Sequence, residues 1–270
     1  MTALIVRKLS IDLKQGFARH WFGGDAFRSQ LFNATSMTFP QGEQFFIDSV
    51  RDALPQLESA ELREAVRGFI GQEATHRHLH AQYNAELERQ GLRYVLQRWI
   101  AWRIESSKKV SLASRLAVTA AFEHHTALFA QVVLNGRLGI ERADALPQLL
   151  WSWHSAEELE HKAVAFDVYR AIGGGSVRRV LWFAYVSLLF MIDLTLQTTH
   201  NLYRDGQLLR WRTWRGALGY LFGRRGLVWV LVPHMLAYCS PRFHPMRQDD
   251  AALAAGWLAQ HRDRYTELQA

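Results

Sequence analysis

Apolar positions recur at a spacing of three and four residues along most of this chain. Leu62, Val66, Phe69, Ile70, Glu73, His76, His80, Tyr83 and Leu87 form one such stripe, which is the period of a helix with a buried face. No alternating strand pattern runs long enough to matter, and no repeat of 20–50 residues is present. The breakers are few: Pro40-Gln41-Gly42, Pro55, Gly91, Asn135-Gly136, Pro147, Gly173-Gly174-Gly175 and Asp205-Gly206. Between them the pattern predicts helices over 38–53, 59–90, 109–135 and 142–172. Four long helices with one apolar stripe each predict an all-α four-helix bundle over 38–172, preceded by a lead-in segment, 1–37. Residues 173–270 predict a C-terminal helical extension that packs on the bundle or mediates association.

Polar residues interrupt the stripes at matching depth. The stretch WHSAEELEHKAVAFD, Trp153 to Asp167, holds two histidines and three glutamates within eight residues, next to an apolar run. At about 100° per helical residue, His154, Glu158 and His161 lie within roughly 60° of one another, whereas Glu160 points elsewhere. Glu157 borders the cluster. On the second helix Glu73 and His76 share the core face, so two Glu-x-x-His units stand on two different helices. Glu43 shares its stripe with Phe46, Ile47, Val50 and Leu54, and Glu123 shares its own with Leu116, Ala120, Ala127 and Ala130. A lone glutamate on an apolar stripe is costly unless it is paired or ligating.

The order Glu43, Glu73-x-x-His76, Glu123, Glu158-x-x-His161, one unit per helix, is the carboxylate-bridged dimetal pattern of ferritin-like bundles. Four carboxylates balance two divalent ions. In this reading Glu73 and Glu158 bridge, Glu43 and Glu123 cap one metal each, and each histidine binds one metal. His154, one turn before Glu158, is either a third histidine ligand or a residue hydrogen-bonded behind one. His80, one turn after His76, is a ligand or a residue behind the ligands, and the reading favours the latter or plain packing. His78, His124 and His125 are read as surface or packing residues, and Glu58, Glu61 and Glu64 as the solvated start of a helix.

Composition narrows the chemistry. The chain has 270 residues, 49% of them hydrophobic, and one cysteine, Cys239, which excludes a disulfide within the chain and a cysteine-rich zinc site. No cleavable secretory leader is legible at the N-terminus, and a cytoplasmic protein is expected, with peripheral membrane association as an alternative. The formal charge is +7, and the segment from Gly174 to Arg247 alone contributes +8, with ten arginines, two aspartates, and neither lysine nor glutamate. Nucleic-acid motifs are absent, and the arginines sit among tryptophans and leucines, so a membrane surface or a second subunit is expected as partner rather than nucleic acid. The apolar runs VLWFAYVSLLFMI and GLVWVLVPHMLAY are 13 residues each, interrupted by Asp193 and Pro233, and are expected to be buried or interfacial rather than membrane-spanning.

Over 38–172 the chain resembles the ferritin-like di-iron carboxylate superfamily. Over nearly its whole length it resembles a bacterial family labelled predicted metal-dependent hydrolase, from QEATHRHLH and EELEHKA to the C-terminal SPRFHP. The set His154-x-x-x-Glu158-x-x-His161 is also similar to arylamine N-oxygenases, whose third histidine implies Glu43, Glu73, His76, Glu123, His154, Glu158 and His161 as ligands here. From this set the expected function is a di-iron oxygenase or oxidase. It would hold two iron ions, with manganese or zinc as alternatives, and act on an apolar or aromatic small molecule with dioxygen and an electron donor. A dimetal hydrolase that activates water and a non-enzymatic metal-binding bundle are the alternatives.

Overall fold

A computed structural model describes residues 4–248 and 250–268. In chain order the elements are β1 (Arg7–Leu9), α1 (Ala26–Ala53), α2 (Ala60–Arg89), α3 (Gln97–Ser107), α4 (Leu112–Leu134), α5 (Ala145–His161), α6 (Val164–Ala171), α7 (Ser176–Arg204), α8 (Trp211–Phe222), α9 (Leu227–Tyr238), α10 (Ala251–Gln260) and β2 (Tyr265–Glu267). The fold is an all-α bundle in which α1 packs along α2, α4 along α5, and α6 against α4 and α2.

Helix α1 begins twelve residues before the start expected at Thr38, inside the predicted lead-in. Asp25 caps it by accepting from Arg28 N at 3.0 Å, and the chain runs straight through Pro40. Proline lacks the N–H that would bond the carbonyl four residues back. That carbonyl, Ser36 O, instead accepts from Asn84 Nδ2 of α2 at 3.0 Å, so no orphan is left and the helix continues. Ser59 caps α2 by accepting from Leu62 N, and Glu58, Glu61 and Glu64 are exposed, as expected.

The fourth predicted helix is two. It breaks at Lys162-Ala163 between α5 and α6, with no glycine or proline to announce it. Lys162 is buried and pairs with Asp250, which precedes α10, and its ammonium also donates to Gln248 O at 3.2 Å. The chain ends are clasped by the antiparallel pair β1–β2, Arg7 opposite Glu267 and Leu9 opposite Tyr265. The segment entering β1 crosses α2 so closely that a Cβ at Gly68 or Gly71 would run into Leu4 or Val6.

Helix α7 lies against α1 and α4. It is 29 residues long, continues through Asp193, and is long and apolar enough by length and composition to cross a membrane, unlike the 13-residue run that ends at Asp193. Asp193 is accommodated because Arg103 of α3 pairs with it. Pro233 likewise lies inside α9.

Among the described residues, two large apolar clusters fill most of the bundle, with two smaller ones beside them. Trp21, Phe32, Tyr83, Trp151 and Trp153 belong to one large cluster, and Phe46, Val50, Phe69, Leu116 and Val168 to the other. On every bundle helix the predicted ligands fall in sequence between members of these clusters, for example Glu43 between Phe39 and Phe46 and Glu73 between Phe69 and Leu79.

Candidate dimetal centre

Glu43 comes from α1, Glu73 and His76 from α2, Glu123 from α4, and His154, Glu158 and His161 from α5. All seven are 0–3% exposed. Their ligand atoms gather into two groups, each with atoms mutually within 4.8 Å: Glu43, His76 and His154 in one, and Glu73, Glu123, Glu158 and His161 in the other. The structure therefore brings together every residue singled out from the sequence. The Glu73-x-x-His76 unit is split between the groups, whereas Glu158 and His161 both lie in the second. Glu158 also reaches the first, with Oε1 2.9 Å from His154 Nε2 and 3.5 Å from His76 Nδ1, and Oε2 3.6 Å from His161 Nε2. Glu73, expected as a second bridge, lies with the second group, Oε1 3.1 Å from His161 Nε2.

The atoms facing inward lack partners. Both carboxylate oxygens of Glu43, Glu73 and Glu123, Oε2 of Glu158, Nδ1 of His76 and Nε2 of His161 are buried and make no hydrogen bond. A buried polar atom without a partner is destabilising by roughly 1–3 kcal/mol, more if charged. So many such atoms, aimed at one another from four helices, fit two divalent cations and would be anomalous without them.

Hydrogen bonds on the far side of each ring decide which nitrogen faces the site. Gln72 Nε2 donates to Ile5 O and to Glu160 Oε2, both at 3.0 Å, so Gln72 Oε1 accepts from His161 Nδ1–H at 2.9 Å and frees His161 Nε2. The Glu157 carboxylate accepts from His76 Nε2–H at 3.0 Å and leaves Nδ1 inward. Behind His154 the order is longer. Asn84 Nδ2 is committed to Ser36 O, so Asn84 Oδ1 accepts from Ser36 Oγ at 2.8 Å. Ser36 Oγ then accepts from His80 Nδ1–H at 2.8 Å, and His80 Nε2 accepts from His154 Nδ1–H at 2.9 Å. His154 Nε2 is left with its lone pair toward Glu43 and His76. Such outer contacts fix ring orientation and basicity in metal sites.

The electrostatics show four carboxylates competing for too little positive charge. Burial, then neighbouring carboxylates, push Glu43 well above the ordinary carboxyl range, and burial likewise raises Glu73 and Glu123. Glu158 is the exception: burial opposes its charge, but His161 and His154 outweigh that and hold it well below the usual range. Burial would lower His76, yet its hydrogen bond to Glu157 and the adjacent Glu158 and Glu73 carboxylates raise it to about 10. His161 is raised by Glu158 and Glu123 against the same burial penalty. His154, by burial and then by the nearby His76, is lowered to about 4 and stays neutral.

Around the donors stand aromatic walls. Phe39 stacks on His154 with centroids 4.9 Å apart, Trp153 meets His76 edge-on at 5.1 Å, and Phe69 meets His161 at 4.8 Å. A cavity of about 330 Å³ lies elsewhere, lined by Arg179 and by Pro241 to His244 of the SPRFHP segment, and none of the seven residues lines it.

Three contributors were not legible in the sequence. Arg7 of β1 is buried and pairs with Glu157 at 3.2 Å and Glu160 at 2.6 Å, holding the carboxylate that holds His76. Gln72 sets His161, and Ser36 anchors His80. Nothing local marks Arg7, because its partners lie about 150 residues away. His80 stands behind His154 rather than in either group. His124 and His125 are packing residues: His124 stacks on Tyr238 at 4.7 Å, and His125 Nδ1 contacts Ala121 O at 2.6 Å. His78 is exposed.

Residues 5–249 match the model of a protein family described as predicted metal-dependent hydrolase. No curated protein and no solved structure matches the chain. The family match overturns the oxygenase reading drawn from the ligand set and favours its hydrolase alternative. The ligand pattern misled because carboxylate–imidazole donors serve redox and hydrolytic metals alike; donor type selects the metal, not the reaction.

Proposed function

The chain belongs to the predicted metal-dependent hydrolase family, and from that premise we propose that it is a dimetal-dependent hydrolase with its centre at the seven buried residues. The observation that carries the reading is the set of inward-facing donor atoms without hydrogen-bond partners, buried among apolar side chains. Glu43, His76 and His154 would hold one divalent ion, and Glu73, Glu123 and His161 the other, with Glu158 placed beside both groups. A metal pair bound there would supply activation of water at neutral pH and polarisation of the bond to be cleaved.

The rest falls to the chain. Glu157, Gln72 and His80 fix which nitrogen of each of the three imidazoles faces the site, the one that would ligate once free of a proton. Phe39, Phe69 and Trp153 exclude bulk water and keep the local dielectric low. Four carboxylates and three imidazoles without thiolate suit Zn²⁺, Mn²⁺ or Fe²⁺.

The test is reconstitution. Metal-stripped protein is loaded separately with Zn²⁺, Mn²⁺ and Fe²⁺, its metal content is measured, and it is assayed against ester, amide and phosphoester panels. Two ions per chain and cleavage that requires them and disappears in Glu158→Ala support the reading. Cleavage that persists unchanged in the stripped protein, or a stoichiometry of zero, overturns it.

A further inference from the structure

Helix α7 turns a row of polar residues toward the bundle, beside the buried Phe183, Val186 and Leu202, and turns a row of large apolar residues outward. Facing the bundle are Asp193, Gln197, Thr198 and Asn201, all buried. Asp193 is paired with Arg103, and Gln197 Nε2 donates to Arg93 O and to Asn201 Oδ1, each at 2.8 Å. Outward stand Leu181 at 65% exposure, Leu188 at 62% and Leu196 at 53%, with Tyr185 and Ile192 among them. A helix finishing a water-facing bundle has the opposite polarity.

The neighbours extend this surface. On one side Asp193 ties α7 to α3, whose Trp99 and Trp102 are exposed and stacked on each other at 4.8 Å. On the other, Phe183 of α7 packs on Tyr238 of α9 at 4.3 Å, and α9 exposes Trp229 and Leu236. Helix α8, packed on α9, exposes Trp211 and Leu218. Exposed apolar surface on this scale marks an interaction site.

The charges name the occupant. Arg204, Arg210, Arg212, Arg215, Arg224 and Arg225 are all exposed. The two aspartates between Gly174 and Arg247 are spent inside the fold, Asp193 on Arg103 and Asp205 on Arg19 and His20. A second copy docked about a twofold axis would bring this arginine field against itself. A bilayer with anionic headgroups instead offers phosphates to the arginines, an interfacial layer to the tryptophans and acyl chains to the leucines.

We propose that the outer face of α3, α7, α8 and α9 docks the protein on an anionic lipid bilayer. It lies in one leaflet without crossing it, because the polar face of α7 is bonded to the bundle. This stands independently of the reaction at the metal centre.

The test uses the full chain with vesicles of phosphatidylcholine alone or mixed with phosphatidylglycerol. Sedimentation with the anionic vesicles should be at least about tenfold tighter than with the neutral ones and weaken with salt. Tryptophan emission should shift to the blue on binding. Leu188→Glu with Leu236→Glu, and separately Arg212→Glu with Arg215→Glu, should abolish binding while metal content and circular dichroism stay unchanged, since all four side chains are exposed. Absence of binding to anionic vesicles, or equal binding to both kinds, overturns the proposal. So does a stable dimer in sedimentation equilibrium that Leu188→Glu converts to monomer, which would assign the face to a second copy.

Discussion

The imidazoles of His80 and His154 meet nearly edge to face, 80° between planes, with His80 Nε2 2.9 Å from His154 Nδ1. This contact ties a site residue on α5 to α1 through Ser36, whose own carbonyl is held by Asn84 because Pro40 offers it no partner. Burial, then the nearby His154, keep His80 well below its ordinary value, so it is neutral and its Nε2 can only accept. His80→Phe would remove that acceptor and strand the buried His154 N–H. Metal affinity at the group of Glu43, His76 and His154 is expected to fall about 10–100-fold, with the second group retained. Competitive chelator titration should resolve one weakened and one intact ion; equal weakening of both would refute the linkage.

Adjacent glutamates are expected to behave differently. Glu158 presents an oxygen to each group, whereas Glu157 faces His76 and Arg7. Glu158→Ala should lose both ions. Glu157→Gln should keep two, with the ion at His76 weakened by about one to two orders of magnitude, as for an outer-contact change. Identical metal loss in the two variants, read by elemental analysis, would show that Glu157 ligates directly.

The seven candidate residues are legible because a carboxylate or imidazole on an apolar helical stripe stands out against period and burial together. Helix ends are less so. The sequence pattern starts α1 too late because Pro40 reads as a breaker, and the compensation by Asn84 comes from another helix. The break at Lys162 depends on Asp250, 88 residues on, and the role of Arg7 depends on pairing of the chain ends. Contacts of that span leave no periodic trace. The reaction class was illegible for a different reason: the same donors hold metals of either chemistry.

The Lys162–Asp250 pair is expected to be a point of fragility. Both side chains are at most 2% exposed. Removing one charge leaves the other desolvated, which is destabilising by about 3–5 kcal/mol. Asp250→Ala should lower the melting temperature by about 10 °C. Replacing both, Lys162→Met with Asp250→Leu, should recover much of the loss, because a buried pair is often no better than well-packed apolar side chains. Calorimetric melts of the three proteins decide; a double variant no better than Asp250→Ala would mean that Asp250 acts through its other contacts.

Protons and metal ions compete for the same atoms, and the sign of that competition is fixed. In the metal-free protein His76 is raised to about 10 from 6.5, so near neutral pH its inward nitrogen carries a proton that an entering ion must displace. Glu43, Glu73 and Glu123 are raised too, by burial first, and hold protons where free carboxylates would have lost them. A group whose folded value is raised favours the folded state most below its unfolded value, and that contribution is lost as pH rises through the folded value. For His76 the window is about 6.5 to 10; for the three carboxyls it opens at their ordinary value, 4.5, and ends at their raised ones. Glu158, lowered by His161 and His154, has the opposite sign, but its window closes below neutral pH. Above about pH 7, where the windows of the lowered histidines His80, His124, His125 and His154 have closed, the metal-free protein should therefore lose stability, while metal affinity rises because fewer protons remain to be displaced. Two measurements follow. Calorimetric titration with Zn²⁺ in buffers of different ionisation enthalpy should show release of at least about one proton per chain near pH 7. The melting-temperature gap between loaded and stripped protein should widen from pH 6 to pH 8. A gap that narrows, or binding without proton release, would place the ions away from these carboxylates and His76.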